Sequence, residues 1–411
     1  MVDTNQSTTG SAAKAKPWEI KQPVSSGDTI LVRVTGPDRP GITAQLMQVL
    51  AASGAGMHDV EQILIRGRLT LSLIITVPKG QDLIKDLLMF GWEQQMEVDF
   101  EIVDSTPSER SLGLVVTLLG HDVTPSQFGS IASEVAKHGG NIDRIVRLAR
   151  KPVMAYELLI SGDDLRALQD ALLQLGAGLD CDVAVNREGL SRRAKHLIVI
   201  DVDSTLIQDE VIDLIADEAG CGAEVAAVTA RAMAGELDFT ESLIERVKLL
   251  EGLDSSAFET VRSRVRMTPG ARTFIGTLQR MGYKTAIVSG GFTVVTDWLA
   301  ADLGIDHAVA NRLEVVDGKL TGRVIGKIID RNGKAEALER IAAEEGIPVD
   351  QVVAVGDGAN DLDMLNTAGL GVAFNAKALV QEAADAAVNV PYLDALLFIL
   401  GVRSEDISEP H

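Results

Sequence analysis

The sequence predicts an α/β protein in which a doubly wound parallel-sheet domain with a helical cap follows two small α+β domains. Two aspartates, Asp201 and Asp203, stand at the end of an apolar run that begins at Leu197. Later apolar runs alternate with helical stretches, as in parallel βαβ units. The N-terminal half contains an internal repeat, in which Thr29 aligns with Gly113 and each copy reads βαββαβ.

Composition and charge restrict the class of partner. The chain has 411 residues, enough for two or three domains with separate cores, and 46% of them are hydrophobic. Its formal net charge of −21 at pH 7 argues against nucleic acid or an anionic membrane as the main partner. An anionic substrate would need local cations, because the field of the whole molecule repels it.

Cysteine usage and the N terminus bear on the compartment. Cys181 and Cys221 lie in different predicted domains without CxxC spacing, so we expect neither a disulfide framework nor a zinc cluster. Residues 1–26 are polar and small and lack the apolar core of a signal peptide, so we interpret them as a disordered leader. No apolar stretch reaches the roughly 18 residues of a membrane span, and we expect a cytoplasmic protein.

The two copies of the repeat predict the same small fold. After the first strand of each copy comes an amphipathic helix, about 42–53 and 126–138, and then a turn of small residues. Two strands, a second helix and a final strand close each unit. We therefore expect helices on one face of an antiparallel sheet, in domains 27–106 and 110–187.

This pair resembles tandem ACT domains, small modules that bind amino acids and regulate metabolic enzymes. The resemblance rests on the repeat topology and on Gly36-Pro-Asp-Arg-Pro-Gly41 between the first strand and the first helix. It implies a homodimer and an effector, L-serine or another amino acid, near Gly36, Asp38, Arg39, Gly41, Gly120 and Asp122. The second copy lacks the Arg-Pro-Gly of the first, and ordinary turn chemistry is the alternative for both loops.

The C-terminal half follows a short basic linker, 188–195, and forms a predicted domain at 196–405. An insertion at about 208–266 has apolar residues at helical spacing, and such a helical cap after a strand is suited to act as a lid. A hairpin is predicted at 314–320. The apolar strands of the sheet are predicted at 197–201, 284–288, 308–310, 352–356 and 370–373.

The carboxyl ends of these strands carry the polar residues. Open α/β sheets bind ligands at this edge, and the paired acids Asp201 and Asp203 are costly there unless a positive group lies between them. A divalent cation and a phosphoryl group are the ligands we expect. An Asp-rich loop after a core strand is the alternative for this segment taken alone.

Three further segments support a phosphoryl site. Ser289 ends a strand and is followed by two glycines whose amides suit a phosphate. Lys334 begins a helix, where its ammonium could neutralise phosphoryl oxygens. The segment Asp357-Gly-Ala-Asn-Asp361 places acids fit for a hard cation after another strand. Each segment has an ordinary structural explanation, but all four at strand ends of one sheet favour a single site.

Together the four segments match the motifs of the haloacid dehalogenase superfamily. Asp201-Val-Asp-Ser-Thr205 and the helical insertion resemble phosphoserine phosphatases within it, and the whole chain is similar to the ACT-containing phosphoserine phosphatases of actinobacteria. The resemblance implies Mg²⁺-dependent hydrolysis of O-phospho-L-serine to L-serine and phosphate, the final step of serine biosynthesis.

The resemblance also assigns the reacting groups. Asp201 would be the nucleophile that forms an aspartyl-phosphate, a two-step route suited to a very slow uncatalysed reaction. Asp203 would protonate the leaving serine oxygen and then take a proton from the attacking water. The transferring group would be held by Ser289, the Gly290 amide and Lys334.

The metal ligands and their supports follow from the same motifs. Mg²⁺ would be bound by Asp201, the backbone carbonyl of Asp203 and Asp357, with waters completing an octahedron. Asn360 and Asp361 would support this shell, and Asn360 would contact phosphate or water.

Substrate selection would come from the cap. By resemblance, Glu210 would take the substrate ammonium and Arg246 its carboxylate, and a bidentate arginine–carboxylate pair is strong and selective. Met233 and Phe239 would line the pocket. The alternatives are solvent-exposed charges for Glu210 and Arg246, and cap-core packing for Met233 and Phe239.

Two other functions stay open at this point. The first is the same phosphatase chemistry acting on a phosphoprotein or a different small metabolite. The second is an amino-acid-binding regulatory protein with a vestigial catalytic half. The presence of a competent residue type at every catalytic position argues against this alternative.

Overall fold

A computed structural model of the chain describes residues 24–79, 82–103, 113–176, 178–189 and 194–407. The predicted leader, 1–26, lies almost entirely outside the described residues. The chain divides into two compact units, residues 1–109 and residues 110–411. The predicted fold class, an α/β domain preceded by two βαββαβ units, is confirmed.

The first unit holds the first repeat. Its four antiparallel strands lie in the order β2-β3-β1-β4. The alternate residues Ile30, Val32 and Val34 of β1 point into a buried core with no exposed surface, as the period of a strand with one buried face requires. The elements are β1 (Thr29–Pro37), α1 (Ile42–Ser53), β2 (Gly56–Ile65), β3 (Arg68–Thr76), α2 (Leu83–Gln94) and β4 (Glu97–Ile102).

The second repeat has the same order of elements and the same strand order, β6-β7-β5-β8. Its first helix begins with a capping box in which Thr124 accepts from the Gln127 N–H while the Gln127 side chain accepts from the Thr124 N–H. The elements are β5 (Leu114–Gly120), α3 (Pro125–Lys137), β6 (Asn141–Ala149), β7 (Met154–Ser161), α4 (Leu165–Gly176) and β8 (Asp182–Arg187).

The C-terminal domain is built on a seven-stranded sheet of order β12-β11-β10-β9-β13-β14-β15, parallel except for the edge strand β12. Strand β11 is longer than the predicted 308–310, because it continues into the hairpin with β12. The strands are β9 (Leu197–Ile200), β10 (Lys284–Phe292), β11 (His307–Val316), β12 (Lys319–Ile325), β13 (Val352–Gly356), β14 (Leu370–Phe374) and β15 (Ala386–Val388).

Helices cover both faces of this sheet, and four of them form the cap. The cap helices are α5 (Val211–Ala219), α6 (Gly222–Met233), α7 (Phe239–Lys248) and α8 (Ala257–Arg264). The remaining helices are α9 (Ala271–Arg280), α10 (Thr293–Leu303), α11 (Arg331–Glu345), α12 (Leu362–Thr367), α13 (Ala378–Ala383) and α14 (Leu396–Ile399).

The second repeat packs against the C-terminal domain within one unit. Leu119, Ala155 and Ala184 from its sheet belong to the same buried cluster as residues of the large domain. Beside them the Asp182 carboxylate accepts two hydrogen bonds, each 2.8 Å, from the backbone and side-chain N–H groups of Asn389. The two domains therefore share a core and a polar anchor.

Within the described part of the chain, no helix combines the length and the apolar character needed to cross a membrane.

Candidate active site

Strand β9 delivers Asp201 to the carboxyl edge of the sheet. All four residues of β9 are fully buried. Asp201 is 2% exposed, and its N–H donates to the Val355 carbonyl on the neighbouring strand at 2.9 Å. The chain then turns sharply at Ser204, whose φ of 59° lies in the left-handed region. Asp201 is thus held at the centre of the sheet, where the chain leaves the strand.

Lys334 is the buried counter-ion of this position. Its Nζ lies 2.6 Å from Asp201 Oδ1 and 2.6 Å from Asp361 Oδ1, and its side chain is 1% exposed. The Asp330 carboxylate caps α11 just before it, accepting from the Gly333 N–H at 2.8 Å. Burial opposes the charge of Lys334, but attraction to the two carboxylates outweighs it and raises the pKa of the lysine.

Three carboxylates form a cluster suited to a cation. Oxygens of Asp201, Asp357 and Asp361 lie within 4.8 Å of one another. Burial and repulsion by Asp361 raise the pKa of Asp357 to about 6, and the same two causes raise the pKa of Asp201. Among the described residues, Asp201 Oδ1 accepts no hydrogen bond of regular geometry. A single ammonium leaves this all-oxygen cluster short of positive charge, so it fits a hard divalent cation such as Mg²⁺.

Asp203 is held from two sides. Its Oδ1 accepts from the Val211 N–H at 2.7 Å, and its Oδ2 accepts from the Ser289 hydroxyl at 2.8 Å. The Gly291 N–H in turn donates to Ser289 Oγ at 2.7 Å. Burial raises the pKa of Asp203 and favours its protonated form. The Ser289 hydroxyl, predicted to hold a phosphoryl group, is therefore bonded to Asp203 in this structure.

The two glycines after Ser289 stand where a side chain would clash with neighbouring residues. A Cβ on Gly290 would lie 2.9 Å from Cζ of Phe239 in the cap, and a Cβ on Gly291 would lie 2.6 Å from Asp203 Oδ2. Both distances are below normal van der Waals contact. Glycine at these positions lets the cap and Asp203 approach the end of β10.

A cavity of about 650 Å³ lies between the sheet edge and the cap. Ser289, Lys334 and Asp361 are fully buried and contact the lining residues Asp203, Asp201 and Gly358, respectively. The sequence-predicted residues that line the cavity are Asp201, Asp203, Glu210, Met233, Phe239, Arg246, Gly290, Asp357 and Asn360.

Glu210 faces this cavity from the start of the cap. One of its carboxylate oxygens, Oε1, accepts from the Ser204 hydroxyl at 2.8 Å. Burial, followed by repulsion from Asp203, raises the pKa of Glu210 to about 7. A positive group brought beside this carboxylate would stabilise its ionised form.

Arg246 lies on α7, and its Nε donates to the Ser242 carbonyl at 3.3 Å. No carboxylate within the described ranges lies within 4.0 Å of its guanidinium, so its two terminal nitrogens are available to a ligand. Met233 is 71% exposed although it lines the cavity, whereas Phe239 is partly buried against Gly290.

Thr205 and Lys377, which both belong to this site, were not singled out from the sequence. The buried Thr205 hydroxyl donates to Asp357 Oδ1 at 3.2 Å and so links two strand ends. Lys377 also lines the cavity. It follows β14, the strand next to β13, and inspection of every strand end of the sheet would have found it.

The predicted effector loops show local structural reasons for their residues. A Cβ on Gly36 would lie 2.3 Å from Met96 Sδ, and Gly41 has a φ of 95°. The Arg39 side chain donates to the Gln94 carbonyl, and the Asp38 N–H donates to the Gly67 carbonyl. In the second repeat, a Cβ on Gly120 would lie 3.0 Å from the Asp122 carbonyl oxygen.

Family models match all three domains. Residues 198–366 match a haloacid dehalogenase-like hydrolase, and residues 28–101 and 113–186 each match an ACT domain.

Among similar proteins, a phosphoserine phosphatase of Streptomyces coelicolor is 53% identical over 383 residues, which cover 92% of this chain and 93% of that protein. The phosphoserine phosphatase SerB2 of Mycobacterium tuberculosis is 46% identical over 386 residues, covering 92% and 94%.

Two solved structures share the fold over part of the chain. A haloacid dehalogenase family hydrolase from Salmonella enterica serovar Typhi has a TM-score of 0.61 at 28% identity, covering 70% of this chain and 99% of its own. A probable phosphoserine phosphatase from Vibrio cholerae, in unliganded form, has a TM-score of 0.56 at 36% identity, covering 72% and 89%.

Proposed function

The chain belongs to the phosphoserine phosphatases of the haloacid dehalogenase-like hydrolases, and we propose that it hydrolyses O-phospho-L-serine through an aspartyl-phosphate on Asp201. The observation that carries this proposal is one cavity lined both by Asp201 and Asp357 of the acid cluster and by Glu210 and Arg246 of the cap. The acid cluster suits phosphoryl transfer. The carboxylate and the guanidinium suit the ammonium and the carboxylate of an amino acid.

Mg²⁺ would be held by Asp201, Asp357 and the backbone carbonyl of Asp203. The buried, all-oxygen cluster supports this assignment. When bound, the cation supplies charge stabilisation to the transferring phosphoryl group. Asp361 already accepts from Lys334 and from the Gly358 N–H at 3.0 Å, so its part is to hold Lys334 and the loop in place.

In the first step the Asp201 carboxylate attacks phosphorus and the bond from phosphorus to the serine oxygen breaks. Lys334, 2.6 Å away, favours the ionised nucleophile against the effect of burial. Asp203, protonated as its raised pKa favours, gives its proton to the leaving serine oxygen.

In the second step Asp203, now ionised, accepts a proton from the water that attacks phosphorus, and Asp201 is released. The bonds from Val211 and Ser289 fix the orientation of Asp203 for both transfers.

Glu210 and Arg246 would select the amino-acid part of the substrate. Both lie in the cap, and both face the cavity that the phosphoryl site shares. Because buried polar groups left unpaired are costly, a phosphate ester without an ammonium or a carboxylate would be disfavoured, by up to ~10⁴-fold in favourable cases.

The test of this mechanism replaces the nucleophile. Asp201→Asn should abolish steady-state phosphate release and the acid-stable phosphate that is trapped on the wild-type protein when turnover is quenched. Asp317→Asn is the matched control, because Asp317 lies at a hairpin turn with a φ of 51°, which asparagine tolerates. Phosphate release by Asp201→Asn at the control rate would refute the assignment.

The regulatory part of the proposal concerns the ACT domains. They would bind L-serine or another amino acid and adjust a cytoplasmic, homodimeric enzyme at the final step of serine biosynthesis. Its support is the match of both repeats to ACT domains. Titration with L-serine should shift thermal unfolding and activity, and the absence of both shifts for every amino acid tested would reject it.

A further inference from the structure

We infer that Lys377 is a rim cation, an exposed ammonium at the mouth of the cavity that attracts the anionic substrate. The inference rests on the proposed function, since it concerns a phosphate ester as the ligand of the cavity between the sheet and the cap. Nothing in the proposed mechanism uses this lysine.

The fold brings Lys377 to the site. Strand β14 pairs in parallel with β13, the strand that ends just before Asp357. Lys377 comes three residues after the end of β14, on the same edge of the sheet, and lines the same cavity as Asp357. Its place is therefore set by the central sheet and not by a long loop.

The backbone around Lys377 is fixed while its side chain is exposed. Ala376 and Val380 on either side are 8% and 1% exposed, and the Lys377 carbonyl accepts from the Val380 N–H at 2.9 Å. Lys377 itself is exposed to solvent. An anchored backbone with an exposed side chain holds an ammonium at the mouth of the cavity without burying it.

The Lys377 ammonium is one of few cations among the many acids that line the cavity. Within the described ranges, its lining contains two cations, Arg246 and Lys377. Lys334 is buried behind Asp201 and already paired with two carboxylates. The acids of the lining are Asp201, Asp203, Glu210, Asp213 and Asp357.

A phosphate ester therefore approaches a cavity whose lining has more acids than cations, on a chain of formal net charge −21. The side chain of Lys377 forms no ion pair within 4.0 Å with any carboxylate that the structure describes. Its charge is thus not cancelled by a neighbour. Local cations raise the concentration of an anionic ligand at a site, by an amount that falls as salt screens the field.

The experiment measures kcat and kcat/KM for phosphoserine between about 10 mM and about 500 mM ionic strength, at fixed Mg²⁺. Lys377→Gln should lower kcat/KM about three- to tenfold at low salt with kcat unchanged, and the loss should shrink at high salt. Lys377→Glu should lose more, and Lys377→Arg should keep the wild-type value, which excludes misfolding as the cause.

Lys319→Gln is the matched control. It removes the same charge from an exposed position on the β12 hairpin, outside the cavity lining. Equal salt dependence of the Lys377→Gln and Lys319→Gln variants would overturn the inference. A loss of kcat/KM in Lys377→Gln that persists at high salt, or a loss of kcat in this variant, would also overturn the inference.

An aryl phosphate separates this inference from the proposed function. The capture effect depends on the charge of the phosphate and should appear with either substrate. A wild-type enzyme that prefers the aryl phosphate would refute the substrate assignment alone. A phosphoserine preference without a salt-dependent loss at Lys377 would refute the rim cation alone.

Discussion

Glu210 illustrates how burial prepares a carboxylate for a cationic ligand. Its side chain faces a cavity that already contains acids, so burial and the charge of Asp203 raise its pKa to about 7. A substrate ammonium would reverse this effect by stabilising the ionised form. Under the proposed function, the same site would favour an amino acid over a plain phosphate ester, and recognition would depend on pH.

The pH dependence is the first prediction. As pH falls through about 7, or lower when a bound cation offsets the neighbouring acids, Glu210 gains a proton and loses its attraction for the ammonium. We therefore expect kcat/KM for phosphoserine to fall as the pH is lowered. Glu210→Gln should remove this acidic limb of the pH profile and should lower kcat/KM on its plateau.

The control for this profile is Glu236→Gln, which changes an exposed glutamate of the cap that does not line the cavity. An aryl phosphate has no ammonium and should show no limb that depends on Glu210. An unchanged acidic limb in Glu210→Gln would contradict the role given to this residue.

The space beside Asp203 gives a second prediction. In Gly291→Ala the new Cβ would lie 2.6 Å from Asp203 Oδ2 and would displace the acid from its bond with Ser289. Misplacement by about 1 Å costs on the order of 10²-fold in rate, so we expect kcat to fall by about that factor.

Gly276→Ala is its control, because Gly276 lies within helix α9 and the Cβ would come no closer than 3.8 Å to an arginine side-chain nitrogen. This change should leave activity intact and raise the stability of the helix by up to about 1 kcal/mol. Equal kcat in the two variants would show that Asp203 is not constrained as described.

At the scale of elements, the two repeats differ because their surroundings differ. Strand β1 alternates buried and partly exposed residues, whereas every residue of β5 is buried. The second sheet packs its outer face on the C-terminal domain, so its first strand is buried on both faces. The sequence alone reveals the repeat. It does not reveal the packing of the second sheet on the C-terminal domain, because that contact joins segments distant in the chain.

The polar anchor of that contact gives a third prediction. Asp182→Ala removes the two hydrogen bonds that Asn389 donates, and the backbone N–H of Asn389 loses its acceptor. We expect a loss of about 1–3 kcal/mol in the free energy of unfolding, measured by urea denaturation. Asp180→Ala, at a neighbouring exposed position, should change it little. Equal unfolding midpoints for the two variants would mean that the hydrogen bonds between Asp182 and Asn389 contribute nothing to stability.

At the scale of the whole molecule, sequence reasoning succeeded where short motifs sit at strand ends. Asp201, Ser289 and Asp357 were placed on one sheet edge because parallel strands bring their carboxyl ends together. Lys377 was missed because its neighbours, Asn375-Ala-Lys, carry no motif and its importance depends on the cavity. The bond between Ser289 and Asp203 was missed for a similar reason, since it joins residues 86 positions apart.

We propose that one cavity joins a cation-dependent phosphoryl site to an amino-acid site. The most direct test of this proposal is steady-state phosphate release from O-phospho-L-serine beside phosphothreonine and an aryl phosphate, each with Mg²⁺ or with a chelator. We predict a large preference for phosphoserine that depends on Mg²⁺ and disappears with the chelator. Turnover that survives chelation, or equal turnover of all three esters, would contradict the account.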